Sequence, residues 1–229
     1  EALLKNLAVT GLSDDSRLVK AGDMFFAFPV GDYEKFARMA LDKGAVAVVS
    51  EVPAPKGLEA HWLQVKSTAD ARLEASKIFF KDPFASLTVH AVTGTNGKTT
   101  TTHWIAALLT NFGTPCAVMG TVGCRFAGES FDMPALTTPD AVSLQGVYAD
   151  LEKAGAKAFA VEASSIGLEQ GRMTGSHFDT AVFTNLTRDH LDYHVTMDAY
   201  AEAKAILFAW PGLRTAVVNV DDPYAGLMA

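Results

Sequence analysis

The stretch that most limits how this chain can fold is AVTGTNGKTTTTHW, residues 91–104. An apolar run, LTVHAVT (87–93), leads into a turn with two glycines and a lysine, and the pattern after it predicts a helix over 98–111. A strand that feeds a helix through such a turn is half of a βαβ unit, which implies parallel neighbours. Gly94 and Gly97 let the backbone curl with its N–H groups turned inward, and the helix N-terminus adds partial positive charge. Lys98 can reach the outer phosphates of a nucleotide, and Thr99 can ligate Mg²⁺. The usual phosphate-loop pattern places a glycine where Val92 stands, and Gly94 can widen the loop in its stead. A plain glycine turn would need no Gly-Lys-Thr run, so a phosphate-binding loop is the better reading.

Strand and helix alternate strictly from residue 87 onward. Strands are expected at 115–123, 157–164, 178–186 and 214–220, and helices at 140–155 and 196–209. Short apolar strands between amphipathic helices imply a parallel sheet covered on both faces. Several strands end in polar residues: Thr93, Glu162, Thr184, Asn185, Asn219, Asp221 and Asp222. Open α/β sheets bind ligands just beyond those carboxyl ends. The preceding residues read as a smaller α/β unit. It has strands at 24–28, 46–51 and 61–65, a helix at 35–45 stopped by Gly44, and a helix at 67–83 capped by Ser67 or Thr68 and followed by Pro83. The expected division is a first α/β domain over 1–86 and a parallel-sheet domain over 87–229, a length that suits two domains.

Composition narrows the class further. A net charge of −7 argues against a general nucleic-acid binder. No apolar run is long enough to span a bilayer, and EALLKNLAVTG has no basic start and long apolar core of a secretory signal. Cys116 and Cys124 form no ligand cluster and suit a reducing, cytoplasmic compartment. The sequence stops at NVDDPYAGLMA, where a strand has ended and a helix has begun, so it reads as part of a longer protein.

GTNGKTTT (94–101) resembles the phosphate loop of the Mur ligases, the ATP-dependent amide-forming enzymes of peptidoglycan synthesis, and of the related folylpolyglutamate and cyanophycin synthetases. DDSRLVKAGDMFFAF (14–28) is similar to the uridine-nucleotide-binding domain of that family. LTTPD (136–140), VEASSIGLEQGR (161–172), TNLTRDHLDYH (184–194) and YAEAKAILF (200–208) resemble most the MurE branch, which adds the third residue of the stem peptide.

The resemblance implies a reaction and a set of roles. ATP phosphorylates a carboxylate of UDP-N-acetylmuramoyl-L-alanyl-D-glutamate, and the amine of meso-diaminopimelate or L-lysine displaces phosphate. Gly94, Thr95, Asn96, Gly97, Lys98, Thr99 and Thr100 would hold ATP. Thr99, Glu162 and His190 would serve Mg²⁺, with Asp192 and His194 as alternatives to His190. Thr137, Thr138, Ser164, Gln170 and Arg172 would contact the muramoyl peptide, and Asp14 and Ser16 the uridine. Leu136 stands where relatives often carry Asn, and only DYEK (32–35) stands where they carry a longer Asp-Gly-Arg stretch. Lys98, His190 and Lys204 would be catalytic, with Lys204 carbamylated by CO₂ to give an anionic ligand for Mg²⁺. By spacing alone, Lys204 lies beside the apolar stripe of Tyr200, Ala203, Ile206 and Leu207 and reads as a snorkelling surface lysine. A bacterial, cytoplasmic monomer is implied, without nucleic-acid or membrane partners. The amino-acid-selecting domain of such enzymes lies further along the chain, so this stretch alone is expected to bind weakly and not to turn over. Two other readings compete: a ligase with a folate or cyanophycin substrate, and a plain P-loop NTPase, which would hydrolyse ATP without a carboxylate partner.

Overall fold

The computed structural model describes residues 8–132 and 137–229. The chain divides into two compact units between Asp82 and Pro83.

In the first unit, β1 (Gly11–Ser13), β2 (Asp23–Phe26), β3 (Ala47–Ser50) and β4 (Trp62–Gln64) form a parallel sheet in that order. Helix α1 (Tyr33–Asp42) crosses from β2 to β3, and α2 (Thr68–Phe80) follows β4. Phe25, Ala37, Ala40, Val48 and Trp62 make its core. Helix α1 stops at Asp42, and Gly44 takes the left-handed φ of +94° that the turn demands. Ser67 is the cap of α2, its hydroxyl accepting from the Asp70 N–H at 3.2 Å. That helix ends at Phe80, short of Pro83, because Lys81 and Asp82 both turn left-handed.

The second unit has a seven-stranded sheet in the order β11-β10-β5-β9-β6-β7-β8. Five of its strands are parallel: β5 (Thr88–Thr93), β6 (Cys116–Gly120), β9 (Ala158–Glu162), β10 (Thr180–Phe183) and β11 (Thr215–Val218). The expected strand over 115–123 is shorter than the apolar run. It stops at Gly120, and Gly123 (φ +97°) starts an antiparallel ribbon, β7 (Gly123–Phe126) and β8 (Glu129–Phe131). The sheet is therefore mixed at one edge.

Alternating side chains divide the two faces. Cys116, Val118, Ala158 and Ala160 lie under α3 (Lys98–Asn111). Ala117, Met119, Phe159 and Val161 point the other way, into a core with α4 (Ala141–Lys153), where Tyr148 meets Phe84 and Phe159 edge-on at 4.5 and 4.4 Å. Short helices α5 (Ser165–Glu169), α6 (Leu191–His194), α7 (Met197–Ala205) and α8 (Ala225–Met228) follow the later strands. Helix α7 ends at Ala205, earlier than the apolar pattern suggested, and Ile206 is more than a third exposed. From β5 the chain runs to β6 and returns to β9 on one side, then crosses to β10 on the other, so the sheet's topological switch point falls at β5.

Candidate active site

The β5–α3 loop is pinned from one side. Gly94 has φ +144°, and a Cβ there would lie 2.0 Å from Thr184 Oγ1, so only glycine lets the loop approach so closely. The Thr95 N–H donates to the Asn185 carbonyl at 2.8 Å, and the Asn96 N–H to Asn185 Oδ1 at 3.1 Å. Thr184 Oγ1 and Asn185 Nδ2 both donate to the Asn96 carbonyl. Thr95 and Asn96 thus fix the loop's shape, their N–H groups facing Asn185 and not the interior of the curl. The inward donors that remain are the first-turn N–H groups of α3, which have no partner within a helix. Gly97, left-handed at φ +85°, caps that helix, and its turn continues through Lys98, Thr99 and Thr100. Here an anion would meet both the N–H groups and the helix dipole.

Lys98 folds back over this loop. Its Nζ donates to the carbonyls of Gly94 at 2.8 Å and Thr95 at 3.0 Å. Burial holds its pKa below the usual lysine value, against the opposing pull of Glu162 and Asp189. Lys204 reaches the same carbonyl from α7, with Nζ 3.1 Å from Gly94 O and 4.3 Å above the Tyr200 ring. It is 1% exposed, which corrects the surface-snorkelling reading. Burial first, and then the Lys98 charge, push its pKa down to about 7.

Glu162 ends β9 directly beside β5, in register with Val92. Its carboxylate is buried and accepts three hydrogen bonds: Thr99 Oγ1 to Oε1 at 2.7 Å, the Thr121 N–H to Oε1 at 3.1 Å, and Thr121 Oγ1 to Oε2 at 3.1 Å. Gly120 makes the room, since a Cβ there would sit 2.0 Å from Oε1. Thr121 also reaches Thr137, with the two hydroxyls 3.4 Å apart. From there a second cluster begins. Thr138 Oγ1 lies 2.9 Å from Ser164 Oγ and donates to the Glu162 carbonyl at 3.3 Å. Arg172 donates to the Thr138 carbonyl at 3.2 Å and to Gln170 Oε1 at 2.5 Å. Among the described residues no carboxylate pairs with Arg172, so its charge is available to an anion. Gly167 is confined by Ser164 and Thr138, each 2.8 Å from a Cβ built there.

The Mur ligase middle domain is the family whose model matches, over residues 92–229. The chain belongs to the Mur ligase family. It is 44% identical to the UDP-N-acetylmuramoyl-L-alanyl-D-glutamate–2,6-diaminopimelate ligases of Janthinobacterium sp. (strain Marseille) and of Pseudomonas aeruginosa, over 96% and 98% of its length. It covers 45% and 47% of those proteins, so the chain spans about half the length of the curated relatives it matches. A solved structure of a ligase of the same name is 43% identical, with a TM-score of 0.80, over 96% of this chain and 45% of that one. The MurF ligase of Thermotoga maritima in complex with ADP shares the fold at 22% identity and a TM-score of 0.57, over 95% of this chain and 47% of that one.

The residues marked in this Mur ligase sequence do not all lie together. Lys98, Thr99, Glu162 and Lys204 converge on the β5 loop, and Thr137, Thr138, Ser164, Gln170 and Arg172 form the adjoining cluster. His190, the exposed N-cap of α6, is left-handed at φ +53°, with Nε2 3.7 Å from Asp189 Oδ2 and its ring edge-on to Tyr200 at 6.0 Å. Asp192 is exposed, whereas His194 is buried against Ser165. Among the described residues no three His, Cys, Asp or Glu side chains form a metal cluster. The Thr99 hydroxyl and Glu162 carboxylate nevertheless fit Mg²⁺, which takes few protein oxygens and keeps waters and phosphate oxygens as its other ligands. In the first unit, Asp14 accepts from Arg72 at 2.7 Å and Ser16 is buried. Helix α1 occupies the DYEK stretch from Tyr33 onward, and Leu136 lies outside the described residues.

Thr121 and Tyr200 escaped the sequence reading. Thr121 lies inside an apolar run that gives no sign of the strand's end at Gly120. Tyr200 is core by helical spacing, and its hydroxyl also lies 3.3 Å from Thr95 Oγ1.

Proposed function

We propose that this chain is the nucleotide- and acceptor-binding part of a ligase that joins a diamino acid to UDP-N-acetylmuramoyl-L-alanyl-D-glutamate at the expense of ATP. The observation that carries the proposal is the unbroken hydrogen-bonded path from Thr99 through Glu162 and Thr121 to Thr137, which sets a phosphate loop beside an anion-ready arginine. A plain NTPase has no use for the second cluster. The names of the relatives point to 2,6-diaminopimelate as the incoming amino acid.

The difficulty in this reaction is that a carboxylate must meet a triphosphate. Gly97–Thr100 N–H groups and Lys98 would hold the β- and γ-phosphates and offset their charge. Arg172, steadied by Gln170 and the Thr138 carbonyl, would fix the acidic D-glutamyl end, with Thr137, Thr138 and Ser164 contacting the muramoyl peptide. Thr99 and Glu162 would hold Mg²⁺, assisted by His190 and by Lys204 as its carbamate. Bound Mg²⁺ would neutralise charge on the transferring phosphoryl group. Lys204 suits CO₂ capture, since burial favours the neutral amine that must attack. The acceptor carboxylate takes the γ-phosphoryl group to give an acyl phosphate and ADP, and the incoming amine then displaces phosphate to form the amide. Asp14 and Ser16 would receive the uridine end.

The nucleotide substrates and the two buried free thiols support a bacterial cytoplasm. Among the described residues no helix is long and apolar enough to cross a membrane, and the acidic net charge speaks against a nucleic-acid partner.

The test is product formation by the full-length enzyme. With ATP, Mg²⁺, the UDP-muramoyl dipeptide and diaminopimelate, mass spectrometry should show the tripeptide. ATP hydrolysis without any carboxylate substrate, and no amide product, would support the NTPase reading instead.

A further inference from the structure

Three helices meet at one buried imidazole. His194 closes α6 and is 5% exposed. Its Nε2 lies 2.9 Å from Ser165 Oγ, at the start of α5, and its Nδ1 lies 3.3 Å from Glu169 Oε2, at the end of the same helix. Its ring stacks on Tyr200 of α7 at 5.1 Å and 29°. Burial, the largest cause, depresses its pKa. Lys204 and His190 act in the same direction, while Glu169 and Asp192 oppose it. A neutral imidazole has one donor and one acceptor, and a carboxylate can only accept. The tautomer follows: Nδ1–H donates to Glu169, and Nε2 accepts the Ser165 hydroxyl proton.

This line has the order of a hydrolytic triad, yet Ser165 is 2% exposed, so no acyl group can reach its oxygen. The bonds hold structure instead. Ser164, the N-cap of α5, belongs to the peptide cluster, and Gln170 and Arg172 follow the helix. Helix α7 carries Tyr200 and Lys204. A neighbouring tie runs in parallel, from Gln170 Nε2 to the Tyr193 hydroxyl at 3.1 Å. Immediately after His194 the chain makes a γ-turn. Val195 takes φ +69° and ψ −47°, and the Thr196 N–H returns to the His194 carbonyl at 2.8 Å. That turn is rare and strained, above all for a β-branched residue, and persists only where its surroundings hold it.

We infer that His194 is a positioning residue. It fixes the helix bearing Lys204 against the helix bearing Ser164, so that a carboxylate held in the peptide cluster faces the phosphate loop at reacting distance. The inference rests on the ligase reading above. Small misplacements between reacting groups are costly, on the order of a hundredfold per ångström.

The experiment uses the full-length enzyme and two substitutions that remove one bond from opposite ends. His194→Phe keeps a ring on Tyr200 but loses both hydrogen bonds, and Ser165→Ala deletes only the hydroxyl. In each, kcat should fall about tenfold or more, while KM for ATP and for the dipeptide stays within about threefold. The double variant should be no slower than the slower single one, because both remove the same link. His194→Gln, which can still accept from Ser165, should recover part of the rate. A wild-type kcat in either folded single variant would overturn the inference. So would rate losses that multiply in the double variant or merely track melting temperature. Should His194→Phe not fold, Ser165→Ala decides alone. A wild-type enzyme that forms no amide would defeat the ligase reading itself, whereas ligation at full rate by the variants would defeat only the role of His194.

Discussion

Lys98 and Lys204 donate to one acceptor, the carbonyl oxygen of Gly94, at 2.8 and 3.1 Å. Two ammonium groups on one oxygen repel each other, and the more deeply buried Lys204 yields its proton first, near pH 7. A nucleotide's phosphates would offer the Lys98 ammonium a better partner than a single carbonyl. The pair thus links the phosphate loop to α7.

Lys204 makes stability depend on pH, with a definite sign. The unfolded chain keeps this proton up to about 10.5 and the folded chain only up to about 7. Between those values the unfolded state binds more protons, so the lysine's contribution to stability rises with pH. Below about pH 7 both states are protonated and the cost of the buried charge is complete. In CO₂-free buffer without nucleotide, Lys204→Met should be more stable than wild type at about pH 6, by a few kcal/mol, and lose that advantage towards about pH 10. Urea melts across this range provide the check. In the full-length enzyme, Lys204→Ala should abolish ligation and recover partly with added formate or acetate, which supplies the missing carboxylate.

Lys98→Ala should weaken binding of Mg–ATP severely and leave the fold intact, since the Lys98 ammonium hydrogen-bonds to loop carbonyls and not to another element. Titration calorimetry measures the first effect and circular dichroism the second. Unchanged affinity would remove this loop from the nucleotide site.

Arg172→Lys should raise KM for the UDP-muramoyl dipeptide and spare KM for ATP. A lysine cannot present two parallel N–H donors to a carboxylate, and a charge-assisted contact of this kind contributes about 1.5–3 kcal/mol. Equal rises for both substrates would mark Arg172 as a structural residue.

Val195→Gly should raise the melting temperature. A γ-turn at φ +69° costs a β-branched residue about 1–3 kcal/mol, and glycine adopts it without steric conflict, though with a larger entropy loss on folding. A net gain of about 1 kcal/mol is expected in thermal or urea unfolding.

The loop that dominates this fold was legible because its chemistry is local. The turn in GTNGKTT follows from its own glycines and the helix after it, although Thr184 and Asn185, which pin it, lie far along the chain, and α3 spans Lys98–Asn111 as the pattern predicts. Glu162 was legible too, as a carboxylate at the end of an apolar strand. The β7–β8 ribbon was not, because Val122 prolongs an apolar run and only Gly123 marks the turn. The burial of Lys204 also escaped. Its acceptor, Gly94, is distant in sequence, and helical spacing places a side chain on a face without saying what covers that face. The motif offers His194 as an alternative metal ligand, whereas its partners Ser165 and Glu169 come from another helix that no local pattern pairs with it.

The account turns on whether the carboxylate held beside Arg172 attacks the phosphate held by Lys98. The direct measurement is isotope transfer in the full-length enzyme. With the D-glutamyl carboxylate of the dipeptide labelled with ¹⁸O, and with ATP, Mg²⁺ and diaminopimelate present, the released phosphate should carry one ¹⁸O atom, because the acyl phosphate leaves with a carboxylate oxygen. Unlabelled phosphate released alongside ADP would show that water, and not the carboxylate, receives the phosphoryl group, and would contradict the account.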